Sequence, residues 1–354
     1  MGEQIPAERG SEMGKYLLTR LWTGFFVLFA VITFTFFLSR VIPSDPAQRW
    51  VGAHASEEQK AAAVIELGLD KPLYIQYLSF MKNLVKGDMG ISIVSHRPVL
   101  DELKEAIPNT LEIVFLSVLL AFFLGLPIGV YSAIHDNTFF DHIMRFMSVG
   151  VISVPTFWFA LMLQILIANY LGWLPLSGQM DTIIKLTSPI TRITGFALVD
   201  SLVTGNWTAF WNVLKHSILP VITLASYSFG LTVRMTRSIL LEVLEEDFIK
   251  ASRAWGIRER LVIWRFALKN VIGAVVTVLA LSAGNALVST FVIEAIFSWP
   301  GIGNYIALSV MNLDYPAIVG VTIFASFSYV ILNFFADVVV AMDPRIRFAE
   351  GGRE

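Results

Sequence analysis

Apolar residues in this chain come in long blocks divided by short polar ones, a pattern that predicts helices crossing a bilayer. A hydrocarbon core takes about 20 apolar residues in helix. Six windows reach or approach that length: 17–39, 110–134, 146–171, 217–238, 268–293 and 315–341. Two other stretches fall short. Residues 295–313 are uncharged, but Trp299-Pro300-Gly301-Ile302-Gly303 interrupts them and leaves too little helix to cross. Residues 193–214 are moderately apolar, yet Asp200, Gly205, Asn206 and several Trp and Thr positions suit an interfacial loop. The expected fold is an all-α integral membrane protein with six transmembrane helices. It has an N-terminal tail at 1–16, a first span at 17–39, a loop at 40–109, a five-helix core at 110–343 and a C-terminal tail at 344–354.

The pattern between the first two spans is different. Ser56 to Leu67 reads as a short helix opened by Ser56, with Glu57 and Glu58 in its first turn and Gly68 as its stop. Leu73 to Val85 reads as a second, amphipathic helix, followed by a turn at Gly87-Asp88-Met89-Gly90. Span two is expected to start at Pro108-Asn109-Thr110-Leu111-Glu112, with Asn109 as cap and Glu112 at the reciprocal position of a capping box. That makes Glu112 a helix-start residue near the interface rather than a proton carrier. Residues 1–12 read as a polar, unstructured tail, and Met13 is a candidate start. The apolar run after Arg20 exceeds a signal-peptide core and ends at Arg40-Val41-Ile42-Pro43 without a small-x-small cleavage site, so the first span is expected to be retained.

Composition agrees with this picture. The chain of 354 residues is 55% hydrophobic and 15% charged, and its mean hydropathy is +0.67; soluble domains carry roughly a quarter charged residues. With 26 Lys and Arg against 28 Asp and Glu there is no basic excess for nucleic acid. The absence of cysteine excludes disulfides, thiolate metal sites and Cys nucleophiles. Charge placement sets orientation, because short cytoplasmic loops collect Lys and Arg. The segment from Arg234 to Lys269 contains Arg234, Arg237, Lys250, Arg253, Arg258, Arg260, Arg265 and Lys269, and no Lys or Arg falls between Asn270 and Asp343. Six spans then put the 239–267 segment and both termini on the cytoplasmic side, and the 40–109 loop outside.

The most distinctive stretch is Asp247-Phe248-Ile249-Lys250-Ala251-Ser252-Arg253-Ala254-Trp255-Gly256. Phe248, Ala251 and Trp255 fall on one helical face, Lys250 and Arg253 flank it, and Gly256 suits a left-handed stop. Two readings fit. A short helix tied to two spans could dock in a groove on a cytoplasmic partner and move those spans, or a solvated basic loop could merely fix topology.

The segment resembles the cytoplasmic coupling motif of permease subunits in binding-protein-dependent ABC importers. More narrowly, the chain is similar to the dipeptide/oligopeptide/nickel branch, in the subunit with the long first external loop. The likeness also rests on Arg40-Val41-Ile42-Pro43-Ser44-Asp45-Pro46-Ala47, Leu67-Gly68-Leu69-Asp70-Lys71-Pro72-Leu73, Gly87-Asp88-Met89-Gly90, Pro108-Asn109-Thr110-Leu111-Glu112, Ser298-Trp299-Pro300-Gly301-Ile302-Gly303, Asp314-Tyr315-Pro316 and Asp343-Pro344-Arg345-Ile346-Arg347. Their order and spacing carry more weight than any single string. The resemblance implies a multi-pass plasma (inner) membrane protein that works with a second homologous permease, two ABC ATPase subunits, an external substrate-binding protein and membrane lipid. It implies no cofactor on this chain, ATP and Mg belonging to the partners. Ala251, Ala254 and Gly256 fall on the family's small-residue positions, and coupling is expected of Phe248, Ala251, Ala254, Trp255 and Gly256, with Asp247, Lys250 and Arg253 steering the docking. Trp255 departs from the family, where a polar or basic residue is commoner before the Gly. The implied cargo is a di- or oligopeptide, with oligosaccharide or nickel as alternatives.

Polar groups inside spans are the other candidates. Gln164, Asn169, Ser282, Asn285 and Ser289 either line a translocation path or bond helix to helix. Asp337, one helical turn after Asn333, either pairs with Arg234 or Arg237 as a gate or stays hydrated near the interface. Glu294 reads as an interface residue. His54, His96, His135, His142 and His216 lack metal-ligand spacing, and no phosphate-binding loop or common hydrolase motif occurs. Two rivals stay open: an ion-coupled secondary transporter, for which spans one, two and six offer little central charge, and an intramembrane enzyme, for which paired catalytic groups within spans are not found.

Overall fold

The computed structural model describes residues 7–41, 45–52 and 54–342, without the side chains of 7–18, 21, 41, 332–333 and 335–342. The tail expected at 344–354, the string Asp343–Arg347 and part of Arg40–Ala47 lie outside the described residues. Regular structure among the described residues is helical. The chain divides into two compact units, Met1–Ile107 with Tyr305–Glu354, and Pro108–Asn304.

In the first unit α1 (Ala7–Val41) lies along α15 (Tyr315–Met342). Gly24 permits their approach, since a Cβ there would sit 2.6 Å from the Val330 side chain. Helix α1 begins well before the expected start of its span and takes in residues 7–12, which the sequence reading left as a tail. Ala7, Glu8, Arg9, Glu12 and Lys15 favour helix in water, so the coil simply continues past the apolar run.

The loop after α1 folds into α2 (Pro46–Val51), α3 (Glu57–Glu66) and α4 (Leu73–Val85). Ser56 caps α3, and Gln59 returns the bond to the Ser56 backbone. Ile32, Val319 and Ile323 form a small core, with Phe80, Met81 and Leu84 of α4 packed against it. Asp314 accepts from Ser92 Oγ at 2.5 Å and from the Val94 amide at 3.2 Å, tying the residue 90–98 turn to the start of α15.

The second unit holds α5 (Val99–Ile134) from Pro108 on, then α6 (Phe139–Ser153) and α7 (Thr156–Leu163), which runs into a π-helical stretch Gln164–Tyr170. Next come α8 (Thr182–Thr187), α9 (Ala197–Val203), α10 (Trp207–Leu244), α11 (Asp247–Ala254) and α12 (Glu259–Leu261). A π-helical turn, Val262–Ala267, leads to α13 (Leu268–Phe297), and α14 (Ile302–Met311) begins here and ends in the first unit. Glycines at 125 and 129 of α5 meet α10 closely: a Cβ on Gly129 would lie 2.6 Å from Thr236 Cβ and 2.8 Å from the Val233 carbonyl oxygen. Small residues at this spacing let helices touch where lipid supplies no hydrophobic driving force.

Among the described residues, four helices are long and apolar enough to span by themselves: Trp22–Arg40, Val99–Ile134, Trp207–Leu244 and Glu259–Phe297. The described part of α15 adds an apolar Tyr315–Ile331. The stretch read as one span, 146–171, falls on two helical pieces, Phe139–Ser153 and Thr156–Tyr170, bent by 105°. Pro155 is the cause. It has no N–H to continue the ladder, and it holds Val154 extended at ψ 130°. The 193–214 stretch is also more helical than the loop expected, holding α9 and the start of α10, where Asn206 accepts from the Ala209 amide at 3.1 Å.

The capping box expected at Asn109–Glu112 is absent, because α5 starts at Val99 and carries Pro108 inside. These residues work across the sequence. Glu112 is buried and accepts from the Ala197 and Leu198 amides at 3.2 and 2.7 Å, capping α9, which has no side-chain cap of its own. Asn109 donates to the Pro300 carbonyl, and its own carbonyl accepts from Trp299 Nε1 at 3.0 Å. Thr110 Oγ1 accepts from the Ile302 amide, and Glu294 accepts from the Gly303 amide at 2.6 Å. Glu294, read as an interface residue, is fully buried. Gly303 is required there: a Cβ would come within 2.4 Å of Phe291 Cα.

Candidate coupling segment and translocation cavity

Helix α10 ends at Leu244, and Glu246 turns extended (φ −66°, ψ 147°) before α11 starts. The end of α11 is a Schellman closure. Gly256 sits at φ +73°, its N–H bonds the Arg253 carbonyl, and the Ile257 N–H bonds the Ser252 carbonyl at 3.2 Å. One side of this short helix is rooted. Ile249 is fully buried in a core that also holds Leu240 of α10, Val262, Ile263 and Ala267 of the π-turn, and Val271 of α13. The other side is open: Phe248 is 42% and Trp255 83% exposed, with Ala251 and Ala254 exposed between them. A fixed aromatic pair separated by small residues suits a shaped groove better than bulk water.

The charges flanking this face make contacts within the chain. Asp247 and Lys250 are exposed and 3.4 Å apart, a pair of little energetic weight. Arg253 reaches across the Gly256 turn to Glu259 in a two-pronged pair, at 2.6 and 3.2 Å, which raises its pKa. Its guanidinium thus braces the turn as well as lying near the open face.

Toward the same end of the bundle, Arg237 bonds Asp141 through Nε at 2.5 Å and Nη2 at 2.8 Å, and also pairs with Asp136. Asp141 is buried and accepts further from Ser132 and from the Asn137 amide. One carboxylate therefore holds the end of α5, the start of α6 and α10 together. The gate considered for Arg237 and Asp337 finds Arg237 engaged by these aspartates; the Asp337 side chain lies outside the described residues. Arg234 is exposed and faces a cavity beside this cluster. Sequence reasoning missed Asp141, although two aspartates five residues apart beside a span end were a usable signal.

A cavity of about 350 Å³ opens between α7, α10 and α13. Asn285 and Ser289 line it, together with Thr156, Tyr227 and Ser228, which had not been singled out. The other path candidates lie elsewhere. Ser282 is buried and bonds the Leu279 carbonyl, Gln164 donates to the Leu176 and Ile296 carbonyls, and Asn169 is exposed on the π-helical stretch. No group of three potential metal ligands occurs among the described residues.

Comparison with known proteins places this geometry. Residues 125–348 match the family described as binding-protein-dependent transport system inner membrane component, and residues 13–114 match the N-terminal model of such membrane components. The chain belongs to this family. It is 39% identical over 339 residues to the probable D,D-dipeptide transport system permease protein DdpB of Escherichia coli K12, covering 96% of this chain and 98% of that one. It is 36% identical to the dipeptide transport system permease protein DppB of Alkalihalophilus pseudofirmus, covering 94% and 99%. With the di/tripeptide transport system permease protein DppB of Pseudomonas aeruginosa it shares 37%, covering 90% and 94%. The α11 segment, the cavity and the Asp141–Arg237 cluster of this inner membrane permease all fall inside the larger match, and α2–α4 inside the N-terminal one.

Proposed function

We propose that this permease carries di- or oligopeptides as one half of an ATP-driven ABC importer, and that α11 couples nucleotide-driven closure to alternating access. The observation that carries the coupling role is the two-sidedness of α11, rooted through Ile249 and open at Phe248, Ala251 and Trp255. The peptide cargo is supported by the printed functions of relatives matched over nearly their whole length.

In this reading the chain makes six spans, the bent α6–α7 pair counting as one and α15 as the last, with both termini and α11 in the cytoplasm. The partners are a second homologous permease, two ATPase subunits that bind ATP and Mg, and an external binding protein. Phe248, Ala251, Ala254, Trp255 and Gly256 form the docking face, with Asp247, Lys250 and Arg253 at its margin. ATP favours the closed ATPase pair, the docked helices approach, and the population shifts to the outward-open packing. Asn285 and Ser289 offer the moving peptide polar contacts without a fixed charge.

The test is uptake by the assembled transporter in sealed vesicles. A labelled dipeptide should accumulate only with internal ATP and the binding protein, and should be indifferent to ionophores. Replacing Gly256 by Val should abolish uptake while the subunit still inserts, because a β-branched residue is an outlier at positive φ. Gly256→Asn should retain much of it. Ionophore-sensitive uptake without ATP would favour a secondary transporter, and accumulation of an oligosaccharide or nickel instead of peptide would reassign the cargo.

A further inference from the structure

Three arginines face one cavity of about 420 Å³ between α6 and α10: Arg145, Arg234 and Arg237, with Val149 and Met235 on its wall. The available carboxylates do not balance them. Asp136 and Asp141 both pair with Arg237, Arg145 only approaches Asp141 at 4.0 Å, and Arg234 has no carboxylate within 4.0 Å among the described residues. Among the described residues, three cations against two anions leave the cavity one positive charge in excess.

Its depth is set by the sequence of α10. The charge-free stretch Ser217–Val233 is 17 residues long, about 26 Å of helix, close to the roughly 30 Å of a hydrocarbon core. Arg234 is the first charge beyond that stretch, so it stands at the level where lipid headgroups begin. On α6, Phe146 is 78%, Met147 49% and Val149 52% exposed, an apolar wall on the same helix as Arg145. Forked guanidinium donors suit phosphate oxygens, and the apolar wall suits the chain attached to a headgroup.

We propose that this cavity binds the phosphate of an anionic phospholipid, with the exposed Arg234 and Arg145 as its donors and Arg237 held in place by Asp141. The proposal depends on membrane placement alone, and neither the peptide cargo nor the coupling role of α11 enters it. A failure of the uptake test would therefore leave it standing.

The experiment uses the transporter purified with its partner subunits and exchanged into phosphatidylcholine nanodiscs containing a graded fraction of phosphatidylglycerol, with retained lipid read by native mass spectrometry. Wild type should retain phosphatidylglycerol in preference to phosphatidylcholine. Retention should fall roughly fivefold for each arginine neutralised in Arg234→Gln and in the Arg145→Gln/Arg234→Gln pair, as expected for a basic residue at a lipid surface. Arg234→Lys should keep most of it, and Lys215→Gln, at the other end of the charge-free stretch, should keep all of it. Thermal melting in pure phosphatidylcholine confirms that each variant is folded. Unchanged retention in the double variant, or equal loss in Lys215→Gln, would overturn the proposal. Displacement of the lipid by millimolar inorganic phosphate would also overturn it, marking a free-anion site instead.

Discussion

Replacing Ile249 by Ala separates the two sides of α11 in one step. The side chain is fully enclosed among residues contributed by α10, the π-turn and α13, and truncating a buried isoleucine costs about 2–5 kcal/mol. The low end applies here, because the site lies at the end of the bundle where water and neighbours can relax into the gap. About 2 kcal/mol is still enough to shift a two-packing equilibrium by roughly thirtyfold. The outward face is untouched, so ATPase subunits should co-purify with Ile249→Ala as with wild type, and ATP hydrolysis should continue. Uptake per ATP should drop at least tenfold, since the docked helix would move without carrying its spans. Phe248→Ala is the counterpart: it removes an exposed aromatic, leaves the root intact, and should weaken ATPase retention first. The assay is the ratio of peptide accumulated to phosphate released in the same vesicles. Wild-type stoichiometry in Ile249→Ala, or loss of ATPase subunits matching that of Phe248→Ala, would refute the lever argument.

Two other outcomes can be checked on stability alone. Gly129→Ala pushes a methyl against the Val233 carbonyl and Thr236 and should lower the melting point of the detergent-solubilised subunit by an overpacking cost of about 1–3 kcal/mol; Gly150→Ala, with nothing within 4 Å, is the silent control. Asp200 is buried, which would raise its pKa, yet bonds from the Thr194 hydroxyl and the Thr194, Ile193 and Gly195 amides outweigh burial and bring it below the ordinary carboxylate value. Its contribution is therefore complete above the ordinary Asp pKa and disappears as pH falls through the lowered one. The hydrogen-exchange protection factor over 193–203, the slowing relative to the intrinsic rate at each pH, should stay flat through neutral pH and fall only in strong acid, and Asp200→Asn should show the lowered protection at pH 7 at a cost of about 1–3 kcal/mol.

Locally determined features were readable in advance. The residues 73–85 helix, the Ser56 start, the Gly68 and Gly256 stops and the exposed side of α11 all follow from spacing and turn chemistry within a few residues. Sequence misled where a polar residue has one local signature and two uses. Glu112 three residues after Asn109 looks like a capping box, but its partners are 85 and 86 residues away. Glu294 likewise looks like a span-end carboxylate while closing the start of α14. Ile249 was hidden because a helix of eight residues gives too few turns for periodicity to separate a root from a face. The polar candidates for a path shared a composition but not a side: Asn285 and Ser289 lie one turn apart and meet one cavity, whereas Gln164 is consumed by the Leu176 and Ile296 carbonyls.

The kink at Pro155 has a solvation consequence. Where an α-helix breaks at membrane depth, carbonyl groups lose their ladder partners, and oily chains cannot replace them. Thr156, the first residue past the corner, borders the 350 Å³ hollow, which is large enough for several waters. That hollow should therefore hold water, to which the carbonyls freed at the elbow can bond in place of their lost ladder partners.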